Sequence, residues 1–181
     1  GTYVQLADTV RKHSCVPGLD VQRYWEVVLF SWITGNSDMH CKNFSLISYD
    51  GLQYRLAPAY DLLSVKLSYP EDLEEMALTF EVGGSKNGFG RETFLKAFQQ
   101  TGMNETASKK LVSRMCSYQN AWNKLISESF IPEKTKQQYV LFRTVLLTEG
   151  TTDYIRTGSN ELSNNWETLL INEQYPIILD S

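Results

Sequence analysis

The chain has 181 residues, of which 42% are apolar, and a formal net charge of −4. That length and composition suit one globular domain with a real core, or a large part of a bigger protein. There is no run of about 18 apolar residues, no basic-then-apolar leader and no basic stripe, so a membrane span, a signal peptide and direct nucleic-acid binding are all disfavoured.

Residues 151–181 carry five carboxylates against Arg156 alone, which accounts for the whole net charge and leaves residues 1–150 balanced. Two units are expected: a body over 1–150 and an acidic, polar tail over 151–181, either a flexible extension or docked on the body by its apolar end. Cys15, Cys41 and Cys116 are odd in number and widely spaced, and with His13 and His40 they form no metal-ligand pattern. A reducing, cytoplasmic setting is expected. Because the first residue is Gly, the amino terminus reads as a cut or a cloning scar.

The first element, from "TYVQLADTVRKHS", opens on a capping box of Thr2 and Gln5 and sets Leu6, Ala7 and Val10 on one face of a helix. "CVPGL" breaks it. Asp20 is then expected to cap "VQRYWEVVLFSWI", which is apolar around nearly its whole circumference and therefore belongs in a core, Trp25 and Trp32 included. Gly35 ends that helix. At once the polar loop "TGNSDMHCKNFSL" follows, crowding Asp38, His40, Lys42 and Asn43 into six residues.

Apolar alternation on both sides of Asp50-Gly51 in "NFSLISYDGLQYRLAP" predicts a hairpin with a two-residue turn. In that register Tyr49 faces Leu52 and Asn43 faces Pro58, at separations of roughly 5 Å, and the returning arm carries Asp61 back toward His40. "MALTFEVGGSKNGFG" reads as a second hairpin with a loose Gly-rich turn. Further helices are expected over "GRETFLKAFQQTG", with Phe94, Leu95 and Phe98 inward, and over "NETASKKLVSRMCSYQNAWNKLISES" as one long element bearing Leu111, Met115, Tyr118, Trp122, Leu125 and Ile126. Pro132 opens a last one, with Tyr139, Phe142 and Val145 or Leu146 buried and Gly150 as its stop. The fold class is mostly α with small β-hairpins, an α+β domain.

Asp38, Asn43 and Asp61 are thereby expected at one open end of a hairpin. A carboxylate and an amide oxygen suit Mg²⁺ that keeps waters and takes its other ligands from phosphates. The second carboxylate, five positions before the Asn, can accept a proton from an attacking hydroxyl, which is the division of labour of D-x-x-x-x-N and a later Asp in protein kinases. Plainer roles compete for each residue. Asp38 could hold the loop by accepting backbone amides, Asn43 could cap a turn, His40 could pack, and Lys42 could be a solvated lysine. Cys41 reads as inert or as a modifiable thiol.

"GNSDMHCKNFSL" followed by "LAPAYDLLS" resembles the carboxy-terminal catalytic lobe of HipA-type serine/threonine kinases, the toxins of bacterial toxin-antitoxin systems. The resemblance runs from Gly1 to about Glu149. It implies a protein-kinase-like C-lobe with ATP and Mg²⁺ as cofactors, Asp38 as the catalytic Asp, Asn43 and Asp61 as the metal and cofactor ligands, and His40 and Lys42 as loop residues supporting charge and geometry. It also implies a protein substrate, of which aminoacyl-tRNA synthetases are the known type, and a small HipB-like antitoxin as partner.

A kinase of that kind also needs an amino-terminal lobe with a phosphate-covering loop and a strand lysine. No counterpart is found in the sequence, "NGFG" lying downstream of Asp61 without a phosphate-loop spacing, so the chain alone is expected to be inactive. The tripeptide at the second Asp is Asp61-Leu62-Leu63 in place of D-F-G. The competing readings are a non-catalytic module that binds an antitoxin or a separate amino-terminal lobe, and a small-molecule phosphotransferase.

Overall fold

A computed structural model of the chain describes residues 1–69 and 74–147, and of 141–147 the backbone alone. The expected boundary at residue 150, the acidic tail over 151–181 and the end of the last helix lie outside the described residues, as do the side chains of Phe142, Val145 and Leu146. The described part is mostly helical, with one two-stranded antiparallel sheet: α1 (Tyr3–His13), α2 (Pro17–Thr34), β1 (Leu46–Ile47), β2 (Arg55–Leu56), α3 (Val65–Ser68), α4 (Arg91–Gln100), α5 (Glu105–Ser117), α6 (Gln119–Glu128) and α7 (Glu133–Leu147).

Helix α1 starts where its capping box predicts. Gln5 N–H donates to Thr2 Oγ1 (3.1 Å) and Thr2 N–H to Gln5 Oε1 (3.0 Å), so two of the helix's orphan donors are satisfied reciprocally. It packs along α2, which runs through the centre of the core. Trp25 is fully buried, stacked on Phe80 with centroids 6.0 Å apart, tilted against Phe98, and satisfied at Nε1 by Thr101 Oγ1 (2.7 Å). Trp32 is likewise buried and donates to Glu75 Oε2 (3.1 Å). Gly35 closes α2 at φ 71°, a left-handed cap that glycine adopts without a Cβ penalty.

Asp20 does not cap α2. The helix begins three residues earlier, because Pro17 at its first position has no N–H to lose and a φ already suited to the helix. Asp20 is instead a fully buried carboxylate in the first turn. Its Oδ2 accepts from Ser14 Oγ (2.7 Å) and from Leu56 N–H (2.7 Å), and its Oδ1 lies 3.6 Å from Arg55, so it fastens β2 to the helix.

The first hairpin forms one residue out of the expected register. Leu46 pairs with Leu56 and Ile47 with Arg55, and Ala57 N–H donates to Ser45 O (2.8 Å). Even positions therefore face even positions, which places Leu46 opposite Leu56 and lets Phe44 and Leu56 reach the core together. A two-residue turn at Asp50-Gly51 would have split those apolar pairs. The tip is a longer loop, held by the Asp50 carboxylate accepting from Gln53 N–H (2.8 Å) and Leu52 N–H (2.9 Å).

The second hairpin does not form a ladder. Residues 74–90 double back as an irregular strap, joined by Met76 N–H to Lys86 O (3.3 Å) and by Glu75, which takes Gly88 N–H (2.8 Å) and Phe89 N–H (3.3 Å). Met76, Phe80 and Phe89 all turn into the core.

Helix α4 buries Phe94, Leu95 and Phe98 as its period predicts. The single helix expected after Asn104 is two, α5 and α6, parted at Tyr118 (φ −83°, ψ 1°). The bend sets Trp122 against Phe30 (6.1 Å) and buries Ile126, leaving Tyr118 and Leu125 exposed. Helix α7 returns to α2, where Tyr139 donates its hydroxyl to Thr34 O (3.1 Å).

Candidate active site

The polar loop leaves the end of α2 and is held from three sides. Asn36 N–H donates to Ser31 O (2.8 Å), which extends the helix cap by one residue. From beneath, the Tyr3 hydroxyl donates to Met39 O (2.7 Å), and Met39 itself is fully buried. Burial pushes the Tyr3 hydroxyl well above the ordinary tyrosine range, so it stays a protonated donor. Within the loop, Asp38 O accepts both His40 N–H (2.8 Å) and Asn43 Nδ2 (3.2 Å), and Cys41–Asn43 forms a single 3₁₀ turn.

These bonds separate the loop residues. The Asp38 side chain is 64% exposed, and His40 Nε2 lies 3.9 Å from its carboxylate. That distance is too long for a hydrogen bond. His40 is half-buried, and its Nδ1 is buried with no hydrogen-bond partner among the described residues. Lys42 and Cys41 are exposed. Asn43 is 7% exposed and spends its amide nitrogen on Asp38 O, which leaves Oδ1 as its free acceptor.

Asp61 reaches the loop by a route the hairpin register did not supply. Strand pairing stops at Ala57, and Tyr60 then makes the crossing: its hydroxyl donates to Lys42 O (2.9 Å) and lies 2.6 Å from Ser45 Oγ. The next residue is Asp61, whose carbonyl accepts from the buried Asn36 Nδ2 (3.2 Å). Its carboxylate is exposed and bonds to no described residue. The structure thus ties the Asp38–Asn43 loop and the Asp61 segment to the same end of α2. Tyr3, Asn36 and Tyr60 were not legible as the residues making those ties. Asn36 and Tyr60 stood inside the quoted motifs, while the partner of Tyr3 lies 36 positions away.

The donor set fits a hard divalent cation. Asp61 offers a free carboxylate and Asn43 an amide oxygen, a pair that suits Mg²⁺ retaining waters and phosphate oxygens. Among the described residues no group of three or more His, Cys, Asp or Glu could hold a metal ion.

Comparison with known proteins gives three kinds of likeness. The family described as "HipA-like C-terminal domain" matches residues 1–122. A Sinorhizobium fredii protein named "Putative kinase Y4mE" is 36% identical over 77 residues, covering 42% of this chain and 18% of its own length. A Haemophilus influenzae protein named "Putative kinase" is 23% identical over 147 residues, covering 73% of this chain and 43% of its own. The solved complex of Shewanella oneidensis HipA with HipB and operator DNA contains a chain that matches 90% of this one, at a TM-score of 0.64 and 18% identity, over 37% of its length. The chain thus spans less than half of each of these proteins. No described helix is long and apolar enough to cross a membrane.

Proposed function

The chain belongs to the family of HipA-like C-terminal domains, and from that premise we propose that it is the catalytic lobe of a serine/threonine protein kinase, the toxin of a toxin-antitoxin pair. The observation that carries the reading is the joint anchoring of two segments on α2: the Asp38–Asn43 loop, with its Asp38 carboxylate exposed, and Asp61, with its carboxylate free. A substrate hydroxyl and a phosphate-bound cation could meet there on a rigid support.

In this mechanism Asp38 orients the acceptor hydroxyl and takes its proton as the acceptor oxygen forms its bond to the γ-phosphorus and the bond to ADP breaks. Asn43 and Asp61 would hold Mg²⁺. When bound, that ion neutralises the charge spread over the phosphate oxygens. His40 and Lys42 support the loop, His40 by its closeness to Asp38 and Lys42 through the carbonyl that Tyr60 grips. The activity is proposed for the complete protein, with a protein substrate and a small HipB-like antitoxin as its partners.

The test is made in the complete protein with both substrates present. Asp38→Ala is expected to lower phosphoryl transfer by about 10²–10⁴-fold, the usual weight of a positioned base, while ATP still binds. Asp61→Ala should weaken Mg²⁺-ATP binding itself. Transfer at the wild-type rate in either variant would sink the assignment, and a partner that co-purifies while ATP and Mg²⁺ leave the melting temperature unchanged would favour the non-catalytic module.

A further inference from the structure

Asp61 is the non-glycine residue with positive φ among the described residues, at 56°. L-residues avoid that region because Cβ crowds the following carbonyl, although aspartate tolerates it better than most. Such a conformation persists where its surroundings hold it. Here the hold comes from the end of α2. Asn36 Nδ2 donates to Asp61 O (3.2 Å), and Gly35 O accepts from Lys66 N–H (3.1 Å). Two consecutive residues of one helix terminus therefore fix the chain at Asp61 and again five positions later.

Asn36 is suited to that task. It is 1% exposed, bonded through its own N–H to Ser31 O, and its Nδ2 lies 3.8 Å from Met39 Sδ. Its Oδ1 is buried and receives no donor from any described residue. A buried acceptor left unmade is costly, and a leucine, branched at the same carbon with the same number of side-chain heavy atoms, would avoid that cost. What the amide has and leucine lacks is the donor to Asp61.

We propose that Asn36 is a positioning residue that clamps the Asp61 carbonyl and so holds Asp61 in the left-handed conformation from which its carboxylate meets a divalent cation. The cation half of this statement rests on the metal role proposed above for Asp61.

The experiment is NMR on the full 181-residue chain, wild type and Asn36→Leu, reading the backbone carbon shifts of Asp61 and its broadening by added Mn²⁺ alone. In the wild type, Asp61 is expected at left-handed shifts, and Mn²⁺ broadens both Asp61 and Asn43. In Asn36→Leu, Asp61 should leave those shifts, and the Mn²⁺ concentration that half-broadens it should rise about tenfold or more, the scale on which loss of a ligand-orienting partner acts. A merely packing role for Asn36 would leave both readouts of Asp61 unchanged in the folded protein, and that result overturns the clamp while sparing the metal role. Absence of Mn²⁺ broadening at Asp61 in the wild type overturns the proposal together with that metal role. Asn36→Asp keeps the size, removes the donor and sets an acceptor against the Asp61 carbonyl. It is expected to give the same changes, and it carries the test if the leucine variant does not fold.

Discussion

At the scale of single residues, two polar side chains show how alike a structural group and a chemical one look before the fold is known. Asp20 and Asp38 both sit at the ends of α2. Asp20 is fully buried and gives its Oδ2 to Ser14 and Leu56, whereas Asp38 keeps its carboxylate in solvent and lends only its carbonyl to the loop. Asp20→Ala is accordingly expected to destabilise the protein by about 3 kcal/mol, because it strands the Leu56 N–H and leaves Arg55 without its nearby buried carboxylate. Urea unfolding measures this, and a loss under about 1 kcal/mol would show that β2 does not depend on the tie. The sequence carried no mark of the difference, since the partner of Asp20 in β2 lies 36 positions away.

At the scale of elements, helices were legible and pairing was less so. Thr2 with Gln5, Gly35 at the end of α2, and the Phe94, Leu95 and Phe98 face of α4 are local signals that the structure uses as read. The first hairpin exists where Asp50-Gly51 predicted it, but its register follows the apolar pairs and not the turn residues. Asp50 has a different task there. Bonds from Gln53 and Leu52 N–H hold its carboxyl below the ordinary value of 3.8. For a carboxyl depressed in the folded state, the contribution is present above the unfolded value and is lost as pH falls through the folded one. The amide signals of Gln53 and Leu52 should therefore titrate with a midpoint below 3.8, and a midpoint at or above it would mean that the loop is not held by this carboxylate. The break between α5 and α6 was invisible for a related reason. Helical spacing continues across Tyr118, and the bend there goes with a contact of Trp122 to Phe30 on another helix.

At the scale of the whole molecule, the site hangs on the core. Helix α2 is packed through Trp25, Tyr24, Val28 and Trp32, and both site segments are tied to its end. A ligand bridging those segments should stabilise the fold by mass action. For the complete protein, Mg²⁺-ATP at about 100 times its Kd should add about 2.7 kcal/mol, seen as a rise in melting temperature that EDTA removes. An equal rise with ATP in EDTA would place nucleotide binding away from Asn43 and Asp61.

By itself the sequence determined the helical periods, the loop after Gly35, the D-x-x-x-x-N spacing and the later Asp61, because each is a local pattern within one or two turns of chain. Those patterns also carried the resemblance that the family match bears out. Tertiary structure alone decided the hairpin register, the irregular strap over 74–90, the burial of Asp20, and the way Tyr3, Asn36 and Tyr60 draw the two halves of the candidate site together. The physical reason is the same in each case. A hydrogen bond or ring contact between residues far apart in the chain leaves no periodicity behind, and its partner is chosen only when the core has packed.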